Sequence, residues 1–138
     1  MNYYKESMTS YFDKVKSFVL DLDLSIVYQN EEEEILVIED ETSGISNLVL
    51  ACADPILIME QFLFELKTDD KEILKNLLIK NRDIVHGAFA LDETGNRVIF
   101  RDTLQIENLD ANELEGSINS LGMLLSEYSD ELIKFSKH

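Results

Sequence analysis

The chain has 138 residues, enough for one domain with a real core, and 45% of them are hydrophobic, which argues against disorder. Its 28 acidic residues against 12 basic ones give a formal net charge of −16. That charge repels phosphate backbones and anionic bilayer surfaces, so neither nucleic acid nor a membrane is expected as a partner. 

The N-terminus has no basic region followed by an apolar run, and the longest apolar runs are strand-sized. The single cysteine, Cys52, excludes an internal disulfide framework. A cytoplasmic protein is expected, folded as one domain over residues 1–138.

Residues 2–22 predict a helix. Tyr4, Met8, Tyr11, Val15, Phe18 and Leu22 recur at alternating spacings of four and three, which places them on one face, and Phe12 and Val19 widen the stripe. So aromatic a stripe must be covered, by the sheet or by a second subunit. Core is the favoured reading. If a second subunit provides the cover, Tyr4, Met8, Tyr11, Val15 and Phe18 are the partner-binding residues.

Ser25 to Gln29 reads as a short strand and Ile35 to Ile38 as a second, with the acidic run Glu31 to Glu34 at the tip between them. That run lacks the spaced ligands and the glycine of a calcium loop, and no metal is expected there. Glu39 to Gly44 is a polar loop. The third strand, Leu48 to Ala53, is apolar almost throughout, which reads as burial on both faces. Cys52 within it reads as a small buried hydrophobe. Asp54-Pro55 punctuates the sheet. Residues 56–66 read as a strand, with Ile58, Glu60, Phe62 and Phe64 on one side and Leu57, Met59, Gln61 and Leu63 on the other; a helix starting after Pro55 is the rival.

A second helix opens at Asp69, with Glu72 completing a capping box, and buries Ile73, Leu74, Leu77 and Leu78. Lys67, Lys71 and Lys75, followed by Lys80 and Arg82, make this the most basic stretch, read as a solvated helix face. A fifth strand alternates Val85, Gly87, Phe89 and Leu91 with His86, Ala88 and Ala90; the small residues predict a helix packed on that side, and Gly87 a close backbone or ring approach. A hairpin turn around Gly95 leads to the sixth strand, Arg97 to Arg101. Asp110 with Glu113 opens the last helix, whose seam is Leu114, Ile118, Leu121, Leu125, Tyr128, Leu132 and Phe135. The order is that of an α+β sandwich: an antiparallel sheet packed by N-terminal, middle and C-terminal helices.

Four segments taken together, Leu77 to Arg82, His86 to Asp92, Val98 to Leu104 and Leu109 to Leu114, resemble the YbjN-like family, which is related in fold to the class I type III secretion chaperones of the Tir-chaperone group. The resemblance covers residues 69–135 by motif and residues 1–66 by element order. It implies a type III secretion chaperone-like fold and a non-enzymatic homodimer that binds a polypeptide client or acts as a regulatory adaptor, with no cofactor and no catalytic residues. The alternative is a small enzyme or ligand-binding protein using His86 with a carboxylate such as Asp102. His86 has no histidine, cysteine or serine partner nearby in sequence, so a structural role is favoured for it. A dimer has two candidate surfaces, the stripe of the first helix and the sheet edge near Pro55.

Overall fold

The computed structural model describes residues 10–137. Three helices, α1 (Tyr11–Asp21), α2 (Lys71–Lys80) and α3 (Ala111–Ser136), accompany six strands: β1 (Ser25–Asn30), β2 (Ile35–Asp40), β3 (Ile45–Ala53), β4 (Ile56–Glu65), β5 (Ala88–Leu91) and β6 (Arg97–Gln105). The strands form one antiparallel sheet in the order β1-β2-β3-β4-β6-β5. The expected α+β architecture is the observed one, and residues 56–65 are a strand.

All three helices lie on one face of the sheet. Leu36, Ile38, Leu48, Leu50, Leu57, Met59 and Phe100 point to that face and are at most 1% exposed. The buried residues of α1, α2 and α3 join them in one cluster. α3, about 39 Å long at 1.5 Å per residue, crosses β4 and β6. Its seam is therefore spent within the chain, with Leu114, Ile118, Leu121, Tyr128 and Leu132 buried. Asp110 caps it by accepting from the Glu113 amide at 2.8 Å.

Local chemistry departs from the sequence reading at five places. Asp70, not Asp69, caps α2, accepting from the amides of Glu72 and Ile73. Leu63 is inserted as a bulge between Phe62 and Phe64, so Phe64 turns to the buried face instead of continuing the row of Ile58, Glu60 and Phe62. β5 is only four residues long. Gly87 sits at φ +82, outside extended geometry, and a Cβ there would overlap the buried Phe100 ring. The close ring approach expected at Gly87 is thus real, but it ends the strand and leaves Val85 85% exposed. Phe89, rather than the small residues beside it, faces the helices, its ring 6.1 Å from that of Tyr128. Finally Lys80 is not on a solvated face. Its side chain is 12% exposed and bonds Glu131 Oε2 at 2.8 Å and Asn76 Oδ1. Its ammonium also lies over the Tyr128 ring, tying α2 to α3.

Candidate functional site

The stripe proposed on the first helix divides three ways. Tyr4 and Met8 lie outside the described residues. Val15 is 0% exposed, with Phe12 and Val19 beside it at 2% and 0%, all facing the sheet. Tyr11 and Phe18 are half-buried at the margin of that contact. The inward line of α1 runs through Phe12, Val15 and Val19, one step round the helix from the line of Tyr11 and Phe18.

His86 and Asp102 are not brought together as an acid–base pair. His86 is exposed, its ring against Gly116 of α3. Its backbone carbonyl accepts from the Ser120 hydroxyl at 2.8 Å, and its amide donates to the same oxygen at 3.4 Å. Asp102 accepts instead from the buried Ser117 hydroxyl at 2.5 Å and from the Thr103 amide. Among the described residues no His86 side-chain bond to a carboxylate is formed, and no group of three or more His, Cys, Asp or Glu side chains is placed to hold a metal. No helix among them is long and apolar enough to cross a membrane.

The feature that stands out is the other face of the sheet, which no described helix covers. Cross-strand pairing builds its rows: Tyr28, Val37, Val49, Glu60, Arg101 and Ala88 in one, Ile35, Ala51, Ile58 and Thr103 in the next, and Phe62, Ile99 and Ala90 in a third. Most of these side chains are apolar and half-buried by their neighbours, while Phe62 and Tyr28 are 46% and 54% exposed. The run Leu48 to Ala53, read as buried on both faces, is covered on one; Val49 and Ala51 look outward. In the middle Arg101 Nη1 meets Glu60 Oε2 at 2.7 Å. Both groups remain solvated, so this pair contributes only about 0–1 kcal/mol. Arg97 stacks over the Phe62 ring at 4.3 Å from its centroid.

A second exposed apolar region lies where α2 meets the sheet edge. A groove of about 230 Å³ runs between Leu74, Leu77 and Leu78 on the helix and Phe89, Ala90 and Leu91 on β5. Leu78, Ile79 and Leu91 are exposed beside it. The sequence reading had placed Leu78 in the core. Residues 77–79 are three consecutive apolar positions, which no helix can turn to one side, and that was the available signal.

The family CesT_Tir_1 matches residues 8–138. The chain belongs to the CesT_Tir_1 family. No curated protein sequence matches it. Among solved structures, YbjN from E. coli is similar with a TM-score of 0.67 at 11% identity, over 87% of this chain and 92% of that one. A chain from the complex of the Yersinia pestis type III secretion chaperone SycH with a stable fragment of YscM2 gives a TM-score of 0.59 at 19% identity, over 92% and 100%. A chain from the HopA1–SchA chaperone–effector complex gives 0.58 at 14% identity, over 92% and 94%. The fold is therefore the YbjN-like, type III secretion chaperone-related one expected from the motifs.

Two of the motif residues of this CesT_Tir_1 chain have a physical explanation. Asn81, just after α2, accepts from the Phe89 amide at 2.8 Å and donates to the Phe89 carbonyl at 3.2 Å, so its side chain mimics a neighbouring strand for short β5. Asp92 accepts from the Thr94 amide and hydroxyl and shapes the β5–β6 turn; those hydroxyl and amide bonds hold its carboxyl below the usual range.

Cys52 has no activated character. Burial, with the nearby Glu34 carboxylate adding to it, pushes the thiol up to about 11. At about pH 8 its thiolate fraction is then about a hundredfold below that of an ordinary thiol of pKa near 9. Alkylation by iodoacetamide is expected to be slower by that factor in the native protein than in urea. Equal rates in the two states would show an accessible, unperturbed thiol.

Proposed function

We propose that this protein is a non-enzymatic polypeptide-binding module, chaperone-like or adaptor in role, that works in the cytoplasm as a homodimer. The observation that carries the reading is the open sheet face. An antiparallel sheet solvated on one side ordinarily alternates apolar with polar residues. Here Ile35, Val37, Val49, Ile58 and Phe62 occupy the solvent side. A contiguous apolar surface of this kind marks an interaction site. SycH and SchA, similar in fold, are chaperones seen in complexes with polypeptides, which supports the same class of partner here.

We assign the dimer to the α2 groove rather than to α1 or to a sheet edge near Pro55, which lies in the turn between the inner strands β3 and β4 and so borders no edge. Residues 67–83 carry five cations (Lys67, Lys71, Lys75, Lys80, Arg82) against four carboxylates (Asp69, Asp70, Glu72, Asp83), in a chain of 12 against 28. Two copies meeting there avoid the like-charge repulsion that the rest of so acidic a surface imposes.

The client surface is tested by affinity isolation from the protein's own cells, comparing wild type with Phe62→Asp. Phe62 is 46% exposed, so the substitution is expected to leave the protein folded, which circular dichroism checks. Wild type is expected to retain one defined polypeptide at near-stoichiometric yield and the variant to lose it. The same polypeptide on both, or none on either, defeats the assignment.

A further inference from the structure

We propose that the open sheet face takes a cationic amphipathic helix of the client lying across the strands, a segment apolar along one side with Lys or Arg flanking that side. This rests on the reading of that face as polypeptide-binding and adds the chemistry of the segment. The backbone is the first argument. The inner strands β2, β3, β4 and β6 are paired on both sides, so nothing on the face can satisfy the free N–H and C=O groups of an extended segment. An extended client would have to join an edge instead. A helix satisfies its own backbone and presents only side chains. Six strands spaced by about 4.8 Å make the face about 24 Å wide, the length of about 16 helical residues.

Charge is the second argument. On the face itself Glu60 is offset by Arg101. Its two borders, where the strands end, are acidic. The β1–β2 tip carries Glu31, Glu32, Glu33 and Glu34, joined at the same end by Asp54 of the β3–β4 turn. At the opposite end lie Glu41, Glu65 and Glu93, with Arg97 engaged on Phe62 and Asp92. An apolar strip between two rows of carboxylates is complementary to a helix laid across the strands, apolar on the side it presents and flanked by cations along its length. A second copy of this chain would bring the same carboxylates against their own kind, so the face is a poor dimer surface.

The test uses three synthetic peptides of about 16 residues: a Leu/Lys amphipathic helix, the same helix with every Lys replaced by Glu, and a scrambled Leu/Lys peptide with no apolar side. Binding to the full chain is read by fluorescence anisotropy at low and at high salt. The Leu/Lys helix is expected to bind at least about tenfold more tightly than either other peptide at low salt, with the margin over the Glu peptide shrinking as salt rises. Phe62→Gln and Ile58→Gln, which leave the net charge unchanged, are expected to weaken it about tenfold, whereas Leu78→Gln in the α2 groove is not. Circular dichroism confirms that the variants are folded. Equal binding of the Glu peptide overturns the cationic preference while polypeptide binding by the face stands. Binding of the Leu/Lys peptide that ignores Phe62 and Ile58 is diffuse attraction to an acidic protein and overturns the proposal. If the affinity isolation also fails to distinguish Phe62→Asp from wild type, the reading of the face falls with it.

Discussion

Val15→Asp is expected to unfold the protein, not merely to separate two subunits. Val15 is 0% exposed between Phe12 and Val19, in a cluster that includes Leu36 and Ile38 of the sheet. The substitution removes a buried isopropyl group and places a carboxylate where no donor waits for it. Removing the packing and burying an unpaired charge together cost about 4 kcal/mol or more, a large part of the 5–15 kcal/mol that keeps an ordinary domain folded. Urea unfolding followed by circular dichroism should show a collapsed midpoint or no folded baseline. Phe18→Asp, half-buried at the margin of the same contact, should cost less. The competing reading makes the opposite prediction. If the α1 stripe were the subunit interface, Val15→Asp would stay folded and light scattering would report a monomer.

The sequence was most informative where a single local rule decides. α3 was legible because Asp110 caps the head of a regular apolar seam, and both features hold, although the Glu113 carboxylate does not return a bond to the Asp110 amide. The strand at residues 56–65 was legible because Ile and Phe are frequent there, yet alternation could not foresee Leu63, whose insertion turns Phe64 inward. β5 was overextended because the alternation from Val85 to Leu91 is unbroken in sequence; the break lies in the backbone at Gly87, forced by the Phe100 ring. Lys80 was misplaced because its partners, Glu131 and Tyr128, are some fifty residues away and invisible to local spacing. The open sheet face was half legible. The continuous apolar character of Leu48 to Ala53 reads as burial on both faces, whereas one face is covered and Val49 and Ala51 look outward; apolar composition marks the second face but does not say whether this chain covers it. The α2 surface was missed because residues on an amphipathic helix are read as core by default, whereas Leu78 is 68% exposed.

That surface carries the second large expected effect. Leu78→Asp should leave the fold intact and abolish the proposed homodimer. Leu78 is 68% exposed, so losing its side chain uncovers nothing in the monomer; what remains is the weaker helix propensity of aspartate, a cost of about 0.5 kcal/mol. In a two-fold dimer the same substitution acts on both subunits at once, because the interface is the same patch meeting itself. It removes two apolar anchors and places two carboxylates in a groove built from Leu74, Leu77, Phe89 and Leu91. A rise in the dimer dissociation constant of more than about a hundredfold is expected. Light scattering over a dilution series reads it directly, with urea unfolding as the control for stability. The charge argument supplies a second check. Leu78→Lys should break the dimer as well, since it too sets two like charges against each other in an apolar groove, and a second carboxylate on α2 beside Glu72, away from the groove, should not. A dimer that survives Leu78→Asp unchanged moves the interface away from α2, and because the open face is bordered by carboxylates and Val15 is enclosed, the edge of β1 would then be the place to look.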